Sequence, residues 1–338
     1  MTLRRLVLAL AVGGVVAGIT FAWVLPRIAG YAAVWRELRS LGSVWMVVLA
    51  LVAVMNIATF ALPWMVALPG LRFLVAVKVT QASTAFGLIV PGGAPMGMAA
   101  SYALLRAASF EPQRIASAVA LTGIWNQGST LLFPVAAIVL LAASGTSSPA
   151  LAAAAALGLV LTVLAAALLF AVLWRAALAQ RVGDVLARMM TSTRRLVRRR
   201  PVSWSGDSLV RHRAEFLRLM RQRWPALTVA TLANQLSAYL LFETSVRAVG
   251  IGLDAVSLPE TFAAWSVARL LTSLPLTPGG VGFVELGLTG MLVGFGGMHP
   301  AVVAAVLAYR ALSIVPTLAL GLLAGAGWRL GTRTNTGA

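Results

Sequence analysis

The sequence contains no cysteine, only two histidines and only nine acidic residues among 338. Without cysteine, disulfides and thiolate metal sites are excluded, and the redox compartment is left undetermined. His212 and His299 lie far apart with no ligand spacing around them, so neither metal nor triad chemistry is expected. Also missing are a Ser-His-Asp pattern, carboxylates paired at useful spacing, a P-loop and a dinucleotide fingerprint. The chain therefore reads as a non-enzyme with no cofactor. Any uphill movement of a substrate would draw on an ion gradient, a partner or the substrate's own gradient.

Apolar sequence is what the chain has in excess. It is 60% hydrophobic and 11% charged, with a mean hydropathy of +0.90, outside the range of a soluble globular protein. Apolar segments fall at 6–25, 44–67, 71–90, 95–109, 114–142, 149–174, 225–248, 259–277, 281–298 and 300–328. Several exceed the roughly 20 residues that cross a bilayer, which predicts a polytopic membrane protein. The first follows Arg4 and Arg5 and runs to Trp23–Pro26 without a small-x-small cleavage pattern, so it reads as a retained helix rather than a signal peptide.

The net charge of +18 is concentrated rather than spread: between Arg175 and Trp224 thirteen arginines face Asp184, Asp207 and Glu215. A basic block between two apolar segments marks a cytoplasmic loop that also attracts anionic headgroups, and no nucleic-acid partner is expected. Arg4/Arg5, this loop and Arg329/Arg333 place both termini in the cytoplasm of a cell whose inner or plasma membrane holds the chain. Arg27, Arg36 and Arg39 count against that orientation, and the larger loop outweighs them. Trp45, Trp64, Trp224 and Trp328 suit interfacial anchors.

Two runs cannot continue a helix. Pro275-Leu-Thr-Pro278-Gly279-Gly280-Val-Gly282 and Pro91-Gly92-Gly93 remove backbone donors and free the chain to turn. Broken backbone at membrane depth is tolerated only under protein cover or beside a watery cavity. The flanking segments are short or carry Lys78, Arg106 or Arg269, so they read as re-entrant hairpins. Each break is followed by a proline, Pro112 and Pro300, 21 and 22 residues on, suited to the start of the next span. The predicted fold is all-α: an inverted repeat of helix, re-entrant hairpin and helix, with about six full spans plus two broken hairpins. Its parts are residues 1–42 (a helix and link), 43–174 (first repeat, broken at 91–95), 175–224 (basic loop), 225–330 (second repeat, broken at 275–282) and a tail, 331–338.

Within the apolar segments Lys78, Arg106, Arg247, Arg269 and Arg310 face only Glu243 and Glu285. Glu243 and Arg247, four apart, suit a structural pair on one helix. Arg269 and Glu285, on the two arms of the second hairpin, are placed to pair. Surplus buried positive charge is costly unless an anion is present, and helix N-termini after each break would add donors. A phosphate-bearing substrate fits best, although Arg106 and Arg247 also suit snorkelling toward headgroups. Gln81, Asn126 and Gln127 lie near the breaks and are the better polar candidates, with interhelical hydrogen bonding as their ordinary role.

The stretch Arg269, Pro275, Thr277-Pro278-Gly279-Gly280, Gly282, Glu285, Gly294, Tyr309-Arg310 and Pro316 resembles the lysylphosphatidylglycerol synthetase transmembrane, or flippase-like, family. The similarity runs over roughly 40–330 and is weaker in the first half, where Ala94-Pro95-Met96 stands in place of an acidic residue found in many members. The resemblance implies a lipid translocase without the soluble aminoacyl-transferase domain, since the sequence stops at Ala338. It puts Arg269, Glu285, Arg310 and the Pro278-Gly279-Gly280 break on the substrate path. Gly282, Tyr309, Gly92 and Gly93 are the further candidates there. The expected partner is an anionic membrane lipid, such as a phospholipid or a polyprenyl-phosphate-linked sugar. Alternatives are a non-transporting subunit that presents lipid to a separate transferase, and a transporter of small solutes or ions.

Overall fold

The computed structural model describes residues 36, 39–89, 93–145, 160, 206–273 and 278–334, and these are helical apart from short turns. The expected segments 6–25 and 149–174, residue 160 apart, and Pro91 and Gly92 of the first break lie outside them. In chain order the helices are α1 (Ser43–Thr59), α2 (Leu62–Ala67), α3 (Phe73–Ile89), α4 (Gly93–Ala107), α5 (Pro112–Ala143), α6 (Gly206–Ala248), α7 (Leu258–Ser273), α8 (Phe283–Gly294) and α9 (His299–Thr334).

Polarity is inverted relative to a soluble protein. In α1 the buried positions are Leu49, Ala53 and Asn56, whereas Val44, Val47, Leu51 and Val54 are exposed. Only 22% of the most apolar window of Ser43–Ala67 is buried, and the same share of Pro112–Ala143, so these surfaces are made for a hydrocarbon solvent. Polar side chains turn inward instead: Asn56 Nδ2 donates to Ser237 Oγ at 2.9 Å, joining α1 to α6. Together with His299–Ala324, three helical stretches among the described residues are long and apolar enough to cross a bilayer.

The arms flanking each break are shorter. α8 has 12 residues and α4 has 15, about 18 and 22 Å at 1.5 Å per residue, against a hydrocarbon core of about 30 Å. α3 packs along α4 and α7 along α8, so each break joins two adjacent arms. The packing between halves is reciprocal. α3 lies along α9, the span that follows the second break, and α7 lies along α5, the span that follows the first. α6 runs through the centre and touches α1, α2, α5, α7 and α9.

Two apolar cores result. One surrounds α2, α3, α4, the start of α5 and the membrane entry of α6, with Leu105, Ile115, Leu121 and Leu227 at its centre. At that end Arg114 donates to Pro69 O at 2.8 Å and Arg223 to Val66 O at 3.4 Å, tying the connecting turns to the helices. The other core joins α6, α7, α8 and α9, and it holds an aromatic group of Phe133, Tyr239, Phe262 and Trp265.

Three boundaries differ from the sequence reading. Segment 44–67 is two helices, because Pro63 in the first turn of α2 has no N–H to carry α1 onward. α6 begins at Gly206, so the last part of the 175–224 loop is a helix continuous with the span, and Pro225 lies inside it. α9 runs on to Thr334, into the expected tail. The Glu243–Arg247 pair forms at 2.6 Å, and Arg247 Nη1 also donates to Ile251 O and Gly252 O, both at 2.8 Å. It fastens the turn after α6 rather than reaching for headgroups.

Close helix contact in the first hairpin depends on Gly97, where a Cβ would sit 3.0 Å from Ser83 O on α3. Gly97→Val should force α3 and α4 apart and destabilise the fold by about 1–3 kcal/mol. Gly128→Ala, with nothing within 4 Å, should be neutral or stabilising. Thermal unfolding in detergent compares the two, and equal midpoints would refute the close packing.

Candidate functional site

α7 ends at Ser273, and from Pro278 the described chain forms a single 3-10 turn, Pro278–Gly280, before α8. Gly279, Gly280 and Gly282 have φ of +64°, +67° and +91°, a left-handed region that side-chain-bearing residues rarely adopt. Space imposes a second demand. A Cβ on Gly279 would sit 2.8 Å from Leu88 Cδ2, and one on Gly280 would meet Val284 Cγ2 at 2.8 Å. Leu88 belongs to α3, three residues before the first Pro-Gly-Gly, so the end of the first hairpin's leading arm rests on the second break.

The break is held by a buried ion pair. Arg310 Nε donates to Glu285 Oε1 at 2.6 Å, with the two side chains 10% and 4% exposed. Arg310 Nη2 donates to Gly279 O at 2.9 Å, and Gly282 N donates to Glu285 Oε2 at 2.7 Å. Glu285 lies in the first turn of α8, where a carboxylate accepts an otherwise orphaned N–H and meets the positive end of the helix dipole. That capping bond aims its other oxygen at α9. The sequence-based pairing of Glu285 with Arg269 is therefore replaced by pairing with Arg310, which stands near the middle of the apolar stretch His299–Ala324.

Arg269 is left over. It forms no hydrogen bond or ion pair among the described residues, and its Nε is fully buried. Its guanidinium carbon lies 6.0 Å from the Trp265 ring centroid, one helical turn back on α7. Trp265 is fully buried, and its Nε1 likewise has no partner among the described residues. Tyr309 is buried beside Arg310 in sequence, with its ring 5.3 Å from that of Phe242.

The remaining candidates are dispersed. Gly93 opens α4. Lys78 is exposed on α3. Gln81 is buried on α3 with Oε1 unpartnered among the described residues, and its backbone carbonyl would lie 2.9 Å from a Cβ on Gly321 of α9. Asn126 Oδ1 accepts from Gln235 Nε2 at 2.8 Å, joining α5 to α6. Gln127 is exposed and accepts from Asn126 Nδ2 at 3.4 Å. No bond ties these residues to the Glu285–Arg310 pair among the described residues, and Asn126 does the interhelical work usual for a membrane amide. Arg106 is exposed at the end of α4 and donates to Phe110 O at 3.1 Å. Among the described residues no cluster of His, Asp and Glu has metal-site geometry.

Sequence reasoning missed Trp265, although its place four residues before Arg269 was a usable signal. It also missed the counterpart of the ion pair in the first half. Met98 stands seven residues after Pro91 as Glu285 stands seven after Pro278, and Gly123 and Arg310 each stand 32 after those prolines. Met98 Cε lies 3.0 Å from where a Gly123 Cβ would be. The same two places meet in both halves, once as a buried ion pair and once as an apolar contact.

The sequence profile of the lysylphosphatidylglycerol synthase TM region matches residues 6–321. A search of curated proteins finds no match.

Removing one member of the buried pair strands the other charge. Glu285→Gln should destabilise the protein by about 3–5 kcal/mol, and Glu285→Gln with Arg310→Gln by less than the two single effects combined. Unfolding midpoints of the four proteins give the coupling, and additive effects would rule the pair out as a unit.

Proposed function

As a member of the lysylphosphatidylglycerol synthase transmembrane family, which its match over residues 6–321 makes it, we propose that this chain is a translocase for anionic, phosphate-bearing lipid in the inner membrane. The observation that carries the reading is a buried, glycine-built break held by Glu285 and Arg310, with an uncompensated Arg269 beside it. Unwound backbone and unpaired charge at membrane depth are costly unless a ligand uses them.

Charge pairing narrows the ligand. Glu243 neutralises Arg247 and Glu285 neutralises Arg310, while Lys78 and Arg106 are exposed. Arg269, half-buried with its Nε fully covered, is the cation of that set left without an acid partner among the described residues. A headgroup with one negative charge balances it, and its acyl tails stay in lipid beside the short arms. The arms α3/α4 and α7/α8 are re-entrant in this reading, and the reciprocal packing of α3 on α9 and α7 on α5 supports an inverted repeat. Alternating access is movement of one hairpin against the other. Leu88 resting on Gly279 and Arg310 bonded to Gly279 O hold one state closed. Phosphate that draws Arg310 from Glu285 opens it. Both termini face the cytoplasm, and the chain carries out no covalent chemistry.

A second reading has the chain presenting lipid to a separate transferase, favoured by the exposed Arg218 and Arg221 on the extension of α6 beyond the membrane core. Reconstitution separates the two. Purified protein in vesicles should by itself move fluorescent phosphatidylglycerol between leaflets. Arg310→Ala, and separately Arg269→Gln, should lower the rate at least about tenfold, while Lys78→Gln should leave it unchanged. Movement that requires a co-purified enzyme favours the presenting subunit, and normal transport by Arg310→Ala overturns the role given to the break.

A further inference from the structure

We infer that Trp265 and Arg269 form a two-donor seat on α7 for a singly charged phosphodiester, distinct from the Arg310 position. The inference deepens the lipid-handling reading and rests on it. Arg310 has its Nε and Nη2 engaged by Glu285 and Gly279 O, and both oxygens of Glu285 are occupied, so that pair is satisfied without a ligand. On α7 the situation is reversed. Trp265 Nε1 and Arg269 Nε are buried donors that lack any acceptor among the described residues.

Buried N–H groups in native proteins nearly always find an acceptor, and two orphans one helical turn apart ask for the same one. The Arg269 guanidinium carbon lies over the Trp265 ring, 6.0 Å from its centroid, a cation–π contact that keeps the two side chains together. Two oxygens of one phosphate can each take one donor at N···O contacts of about 2.9 Å. The face is also sided. Phe262 stacks on Trp265 at 5.8 Å, Phe133 lies 5.3 Å away and Tyr239 5.6 Å, so the indole is fixed by packing rather than by a polar partner. Arg269 brings the charge and Trp265 the orientation. An indole has no acceptor, so the seat favours an oxyanion and offers nothing to a metal cation. Gly280 lies close by: a Cβ on it would be 3.6 Å from Thr272 Cα, three residues after Arg269. The seat therefore adjoins the break, and a headgroup held there borders the turn that Arg310 pins.

Binding to the purified full chain in detergent tests this, with dioctanoyl phosphatidylglycerol, inorganic phosphate and phosphate-free dioctanoylglycerol as probes. The phosphatidylglycerol should bind and the glycerol lipid should not. Inorganic phosphate binding as tightly would identify a free-oxyanion seat, and weaker binding would make the lipid the source; both outcomes support the seat. Trp265→Phe keeps the ring and its packing but lacks the N–H, and should weaken binding about tenfold with an unchanged unfolding midpoint. Arg269→Gln should weaken it about a hundredfold. The indole ¹⁵N–¹H resonance that vanishes in Trp265→Phe should shift when phosphate is added to the wild type.

A resonance that stays put, as when trapped water already satisfies the indole, overturns the seat; so does wild-type affinity in both variants. The two readings fail separately. Intact binding without transport removes the translocase and leaves the seat, and transport with unaltered binding by Arg269→Gln removes the seat and leaves the translocase.

Discussion

Backbone that leaves helical geometry inside a hydrocarbon solvent has no water to satisfy it, and the second half of this molecule is arranged around that constraint. Gly282 N is capped by Glu285, Gly279 O is capped by Arg310, and the two caps are bonded to each other at 2.6 Å. Three consecutive demands are met by one carboxylate and one guanidinium. Neither residue can be changed alone without exposing both a backbone group and a charge. The glycines are required as well: Gly279, Gly280 and Gly282 have positive φ, and Leu88 and Val284 occupy the space a side chain on Gly279 or Gly280 would need.

The ion pair also decides which charge is available. Of the five basic residues in the apolar segments, Arg269 is the half-buried one left without an acid partner among the described residues once pairing and exposure are assigned. Arg269 stays uncompensated because the helix cap on Glu285 points its carboxylate toward α9 and away from α7. The electrostatics of the site are thus set by a capping bond, a local feature of α8 that acts across to two neighbouring helices.

The packing between the two halves is reciprocal, with different chemistry at the matching places. Each hairpin's leading arm packs on the span that follows the other break, so the halves interlock rather than sit side by side. Where the second half has Glu285 and Arg310, the first has Met98 touching the place of Gly123. An apolar contact of that kind has no directional bond to hold a break, whereas the ion pair has two. The second break is thus fixed by directional bonds, and it carries the charge.

Much of this was legible in the chain. Apolar runs, the second Pro-Gly-Gly break and the helical class follow from local rules of hydrocarbon length and missing N–H donors, and the rarity of charge in lipid drew notice to Arg269, Glu285 and Arg310. The i,i+4 pair Glu243–Arg247 was equally visible, because both partners lie on one helix. Partner choice across helices was not. Sequence spacing brought Arg269 to Glu285, yet rotation of α8 about its own axis gave Glu285 to Arg310; Lys78 fell on an exposed face, and Asn126 turned to Gln235. Trp265, not among the sequence candidates, became an orphan donor only when its neighbours were seen to be Phe133, Tyr239 and Phe262. Chain order thus determined which groups had to be buried and where the backbone had to break. The tertiary packing alone decided which buried groups satisfied one another, because that depends on helix rotation and crossing, which no local pattern encodes.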